Sequence, residues 1–225
     1  MTNPLVELIS HAEVLDQLTS AERLVLSQFA VRRVLKKGQV LCNQGDDWPY
    51  VLYIVHGTLR SVINSPDGRG YVVGTWQKGE VFWSHAVFDQ EPAPSTLEVV
   101  HRAELYQWQG EQILSIILRN PNAVRALLRR QTRLIRRRRE VIYNLAFNPV
   151  ASRLAKLIVE HVFDSDQPTV ARDLTLSDMA QMVASSPEVV CRLLYQFQDS
   201  GAISINRFSI TLHDRESLEN LVMRD

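Results

Sequence analysis

Glu188 and Arg192 stand four residues apart, which puts them on one face if the segment around them is helical. In a major groove a guanidinium can bond guanine O6 and N7 together, and a carboxylate can accept from cytosine N4. Side by side the two could read a G·C pair and its neighbour. The alternative is a surface ion pair at i and i+4, worth little. The surrounding elements weigh between them. Ser186 is a good N-cap and Pro187 suits the first helical position. Val190, Leu193, Leu194 and Phe197 then give a helix to about Gln198 one buried face. Ahead of it, Thr175 with Asp178 three residues on marks the start of a helix over 176–183, with small Ala180 on its inner side. Ala184-Ser185-Ser186 joins the two. So short a joint, with a small residue where the helices cross, reads as a helix-turn-helix. Residues 201–205, Asn206-Arg207 and 208–212 read as a hairpin wing. The candidate DNA contacts are Ser185, Ser186, Glu188, Cys191 and Arg192 on the second helix, and Arg207 on the wing.

Other reactive residue types do not gather. The six histidines (11, 56, 85, 101, 161 and 213) are scattered and form no H-x-H. A cupin-like metal enzyme, the enzymatic alternative, would need them clustered with carboxylates. Two cysteines, Cys42 and Cys191, make neither a disulfide framework nor a Cys-rich metal site. There is no Gly-rich phosphate loop and no G-x-S-x-G. The sequence therefore points away from catalysis and implies no metal site. A ligand-binding or protein-docking module, with the helix-turn-helix as mere scaffold, stays open as a non-enzymatic alternative.

The helix-turn-helix needs a platform. From about Arg33 to Trp108 the chain reads as short β runs (38–41, 50–55, 58–63, 71–76) parted by turns at Gly45-Asp46, His56-Gly57, Pro66-Asp67-Gly68 and Lys78-Gly79. From Gly110 the pattern turns helical, broken once at Asn120-Pro121 and then unbroken to Phe147. Leu127, Gln131, Leu134, Arg138, Val141 and Leu145 alternate at spacings of four and three, the seam of a dimeric coiled coil or the buried stripe of one helix. Asn148 as N-cap and Pro149 at the first position start a further helix to about Val162, and 164–168 reads as a loop. The division expected is a sensor domain over 1–110, a helical connector over 111–147 and a DNA-binding domain over 148–225. The fold class is α+β: a jelly-roll-like β-roll, a long dimerisation helix and a winged helix-turn-helix.

Charge adds a constraint. The 225 residues balance 25 basic against 25 acidic side chains. The zero is a cancellation: residues 125–139 hold eight arginines and no acid, while the rest of the chain carries 17 basic and 25 acidic groups. Residues 148–225 hold 7 basic and 11 acidic side chains. A DNA-binding domain so acidic must touch phosphates through few groups: Ser185, Ser186, Arg172, Arg192, Arg207 and backbone N–H at helix starts. Weak non-specific binding and a shallow salt dependence follow. No apolar run approaches ~18 residues and no basic n-region opens the chain, so the expected location is the cytoplasm, away from any membrane.

In this order of parts the sequence resembles the cyclic-AMP receptor protein/FNR (Crp/Fnr) superfamily of bacterial transcription regulators. The roll carries the likeness through residues 37–41, Gln44-Gly45-Asp46, 52–57 and 79–82, the hinge through 144–147, and the reading helix through Ser186, Glu188, Val190 and Arg192. The resemblance implies a homodimer pairing through the long helix, a two-fold site on double-stranded DNA, and RNA polymerase as a partner. It also implies an effector pocket in the roll, where cyclic-nucleotide binders carry Gly-Glu-Leu and, further on, Arg-Ser. Here Trp83-Ser84-His85 and Pro94-Ser95 stand in those places. The bidentate phosphate partner is missing, so an effector other than cyclic AMP is expected, its identity unknown. His85 lies near the place of an axial ligand in the carbon-monoxide-sensing haem members; haem is one option, set against an ordinary structural or surface histidine. Their neighbouring Cys is replaced by Trp83. The arginine run is read chiefly as a solvated face. Arg138, with Arg139, is the candidate contact for an anionic effector, and direct DNA contact by the run is a further reading.

Overall fold

The structure, a computed structural model, describes residues 4–162 and 169–222, without the side chains of 161 and 162. The expected loop over 164–168 and the side chain of His161 therefore fall outside it. By packing, the chain divides into one unit of Met1–Asn64 with Val72–Arg136 and a second of Ser65–Tyr71 with Arg137–Asp225. The division falls inside the long helix rather than after Phe147, and the second unit takes in a hairpin tip from the β region.

The first unit opens with α1 (Pro4–Ile9), a short turn of 3-10 helix and α2 (Ser20–Gln28). Thr19 caps α2 reciprocally. Its hydroxyl accepts from the Glu22 N–H, and the Glu22 carboxylate accepts from the Thr19 N–H at 2.7 Å. There follow β1 (Val31–Leu35), β2 (Val40–Cys42), β3 (Tyr50–Asn64), β4 (Gly70–Trp76), β5 (Val81–Trp83), α3 (Ala86–Asp89) and β6 (Thr96–Gln109). The sheet order is β1-β6-β3-β4, with β2 on β6 and β5 on β3. The two expected runs 50–55 and 58–63 are one strand of 15 residues, antiparallel to β6. The expected turn at His56-Gly57 is a bulge, where register against β6 shifts. Gly57 has φ +92°, and a Cβ there would meet the Arg102 carbonyl oxygen at 2.4 Å. Only glycine fits.

Two cores fill this unit. One lies within the roll, from Leu52, Ile54, Leu59, Phe82, Leu97 and Leu105, closed by Trp48 and Trp76 about Phe82. The other packs α1, α2, α4 (Gly110–Ile117) and the start of α5 (Pro121–Phe147) on the roll, through Ile9, Leu26, Trp108, Ile113, Ala123 and Leu127. Trp108 Nε1 donates to the Leu26 carbonyl at 2.8 Å, so its one polar atom is satisfied in the interior. The bounds of α5 are those the sequence predicts, and the Asn120 side chain accepts from the N–H groups of Asn122 and Ala123.

The second unit contains α6 (Val150–Leu157), a π-helical turn over Ile158–Val162, β7 (Thr169–Ala171), α7 (Leu176–Met182), α8 (Pro187–Asp199), β8 (Ile203–Ile205), β9 (Ser209–Leu212) and α9 (Arg215–Val222). Pro149 itself is the N-cap of α6, one residue later than expected. The wing has three strands, β7-β9-β8, because β7 adds to the predicted hairpin. Leu154, Ile158, Met179, Val190, Leu194, Phe197, Ile210 and Leu218 form its core.

Candidate nucleic-acid interface and effector positions

The turn between α7 and α8 follows from its caps. Thr175 and Asp178 make a reciprocal box at the start of α7, with 3.0 and 3.1 Å bonds. Ala184 turns the chain in the left-handed region, φ 51°, a conformation that costs energy without glycine. The Ser185 N–H closes it on the Ala180 carbonyl at 2.9 Å. Ser186 Oγ then accepts from the Val189 N–H at the head of α8. Ala180, Val190, Leu194 and Phe197 are buried as the sequence predicts, Leu193 is half-buried, and the opposite face of α8 is left outward.

That outward face carries Glu188, Arg192, Tyr195 and Asp199, with Cys191 half-buried beside them. Glu188 and Arg192 form no ion pair with each other among the described residues. The surface-pair alternative is thus not realised, and both heads remain available. The Ser186 hydroxyl, and then backbone bonding, holds the Glu188 carboxyl below its ordinary value, so it is an ionised acceptor. Ser185 and Ser186 are half-buried at the turn. Arg207 is exposed at the tip of the wing, its guanidinium 5.8 Å from the centre of the Phe208 ring. Asn206 shapes that tip by accepting from the Phe208 and Ser209 N–H groups. Arg172 is tied to the same tip through the Asn206 carbonyl. Tyr195 and Phe208, 59% and 76% exposed, are additions that the sequence reading missed. Each is an apolar ring outside a buried stripe, a signal present in the helical and β periodicities.

The effector positions in the roll differ in burial. Trp83 is buried in the core against α3, with its Nε1 unbonded among the described residues. Ser84 is buried, and its N–H donates to the Tyr50 carbonyl. His85 is exposed at the N-cap of α3, and Pro94 is exposed as well. The Ser95 hydroxyl lies 2.5 Å from that of Ser61. One residue along, Arg60 Nε pairs across the strands with Glu98 at 2.5 Å. Among the described residues no group of three His, Cys, Asp or Glu side chains could hold a metal ion.

On α5 the structure divides the arginine run and takes Leu127 out of the expected seam. Arg130 is buried, donating to the Val81 carbonyl at 2.9 Å, and Glu13 pairs with both Arg130 and Arg133. Arg130 is a structural cation, whereas Arg133 stays exposed on the solvated face beside Glu13. Arg138 is half-buried and Arg139 exposed. Of the expected seam, Leu127 is spent in its own unit's core, while Gln131, Leu134, Arg138 and Val141 are half-buried and Leu145 is exposed. The apolar row facing outward is instead Leu128, Ile135 and Ile142, seven residues apart and 63–65% exposed. The helix offers two aliphatic rows one residue apart, and the first unit's core takes Leu127 from one of them.

Residues 32–120 match the family of the cyclic nucleotide-binding domain, and residues 152–221 match the Crp-like helix-turn-helix domain. The chain is 25% identical over 187 residues to a CRP-like cAMP-activated global transcriptional regulator of Mycobacterium tuberculosis, covering 81% of this chain and 84% of that one. Among solved structures, a transcriptional regulator of the crp/fnr family from Eubacterium rectale superposes with a TM-score of 0.81 at 20% identity, over 93% of this chain and 97% of that one. The c-di-GMP responsive global regulator CLP of Xanthomonas campestris gives 0.77 at 16% identity, over 87% and 99%. At these identities the structural likenesses establish the fold.

Proposed function

Because the chain belongs to the Crp/Fnr superfamily of transcription regulators, we propose that it is a homodimeric, sequence-specific DNA-binding regulator whose roll answers to an effector other than cyclic AMP. The observation that carries the DNA reading is the outer face of α8. Its Glu188 and Arg192 are unpaired with each other on a helix-turn-helix with a wing. One acceptor and one bidentate donor on adjacent turns match a G·C pair and its neighbour. Ser185, Ser186 and Arg207 would contact phosphates and fix the register. Two copies must sit one DNA turn apart, ~34 Å, to engage a two-fold site.

The row of Leu128, Ile135 and Ile142 supports pairing of two α5 helices, with Gln131, Arg138 and Leu145 between them at the alternate positions. The working division remains a sensor over 1–110, a connector over 111–147 and a DNA-binding domain over 148–225. No helix of the described residues is long and apolar enough to cross a membrane, in keeping with a cytoplasmic DNA-binding protein. RNA polymerase is the further partner proposed.

Against cyclic AMP stands the loss of the phosphate clamp: Pro94 has no donor, and Arg60 is already paired to Glu98. Titration of the protein with cyclic AMP in a calorimeter should therefore give no saturable heat, and a micromolar isotherm would refute this part. For the DNA reading, the test is selection from a pool of random duplexes. An enriched inverted repeat supports the regulator. Sequence-blind binding, or none, would favour the docking-module alternative.

A further inference from the structure

Within the second unit a cavity of about 280 Å³ lies among Tyr71, the last turn of α5, α6 and the end of α7. Its polar side chains are Tyr71, Asn144, Asn148, Arg153, Lys156 and Glu160. Arg138 and Arg153 both act electrostatically on Tyr71. Two cations, Arg153 and Lys156, thus line a space with one carboxylate, Glu160, which pairs with Lys156 at 3.8 Å. Arg153 spends Nε on the Val183 carbonyl (3.0 Å) and Nη1 on the Asn148 carbonyl (2.7 Å). Its Nη2 makes no hydrogen bond among the described residues, nor does the Tyr71 hydroxyl. Asn148 Oδ1 is buried and likewise unbonded among them. Burial pushes the Tyr71 phenol up, so it remains a donor at neutral pH.

We propose that this cavity binds a small oxyanion, a phosphate or a short carboxylate, between Tyr71, the free edge of Arg153 and Lys156. The volume is just below that of drug-sized pockets and suits a single small ion or metabolite. Charge-assisted donors on a rigid helix are the means by which such anions are held. The site also has a route to the reading helix. Arg153 ties the end of α5, through the Asn144 and Asn148 carbonyls, to Val183 in the turn before α8. An anion on Nη2 would stiffen that tie and join the hairpin tip at Tyr71 to it. The site stands independently of the DNA-binding reading; only this regulatory consequence rests on it.

The test is calorimetric titration of the full chain with inorganic phosphate, in chloride of matched ionic strength and without DNA. One saturable site is expected. Tyr71→Phe and Lys156→Gln should each weaken it at least about tenfold, while Arg137→Gln, on the exposed arginine face, should leave it unchanged. Circular dichroism checks that each variant folds, and Tyr71→Phe decides alone if Lys156→Gln does not. Absence of saturable binding overturns the proposal. So does binding that Arg137→Gln removes and Tyr71→Phe retains, which would assign the ion to the arginine run. Because no DNA is present, either failure leaves the reading of α8 untouched.

Discussion

Replacing Ile135 with Asp should separate the dimer while leaving the protomer folded. Ile135 is 63% exposed in the single chain, as is Leu128, and Ile142 is 65% exposed. Fully burying such a side chain contributes ~1.5–3 kcal/mol, so covering the exposed part of each contributes about 1–2 kcal/mol. A two-fold seam uses each residue twice. Removing Ile135 from both helices thus forfeits about 2–4 kcal/mol, a rise in the dimer dissociation constant of roughly 30- to 1,000-fold. Two carboxylates facing each other across the seam weaken it further. Sedimentation equilibrium at micromolar concentration reads the change directly. Leu127→Ala is the contrasting variant. Leu127 is 8% exposed in its own core, so that change should cost ~2–5 kcal/mol of folding stability and leave association of the folded protein unaltered. An Ile135→Asp protein as dimeric as the wild type, or a folded Leu127→Ala protein that dissociates, would refute the assignment of the two rows.

Three other expectations concern folding and electrostatics. Gly57→Ala should destabilise the roll by several kcal/mol in denaturant unfolding, because Cβ would lie 2.4 Å from the Arg102 carbonyl oxygen; a loss under about 1 kcal/mol would show that the bulge can relax. The Glu22 carboxyl is held below its ordinary value, first by the Thr19 N–H. Its contribution is present above the unfolded pKa, near 4.5, and is lost as pH falls through the lower folded value. Glu22→Gln should therefore lower stability at neutral pH and flatten the acid limb, and a parallel displacement of the whole pH curve would contradict this. DNA affinity should fall gently with salt, since residues 148–225 carry more acids than bases; a steep slope would mean that arginines of α5 touch phosphates.

Some of this was legible in the sequence for stated reasons. Asn120-Pro121 and Phe147-Asn148-Pro149 bracket α5, and the Thr175–Asp178 box and Ser186-Pro187 start α7 and α8, because capping and proline geometry act locally. The reading face followed from the buried stripe opposite it. Other features depend on distant partners. Gly57 has the sequence signal of a turn, and only its register against Arg102 and Ala103 makes it a bulge in β3. The rows 127/134/141 and 128/135/142 are equally aliphatic, and Leu127 parts from Leu128 only because the first unit's core buries one and leaves the other exposed. Arg130 looks like a surface cation until Glu13, more than a hundred residues earlier, and the Val81 carbonyl are placed beside it. The effector positions were assigned by likeness, whereas Trp83 belongs to the core and Pro94 to the surface. The cavity at Tyr71 had no sequence signal, since it joins a hairpin tip to a helix far along the chain.

Whether α8 reads bases is decided by comparing the duplexes selected by wild-type protein with those selected by Arg192→Ala. Wild-type selection should yield an inverted repeat. The variant should lose preference at one symmetric position in each half-site, with about 1–3 kcal/mol of discrimination gone there and the rest of the motif kept. An identical motif from both proteins, or no motif from either, would contradict it.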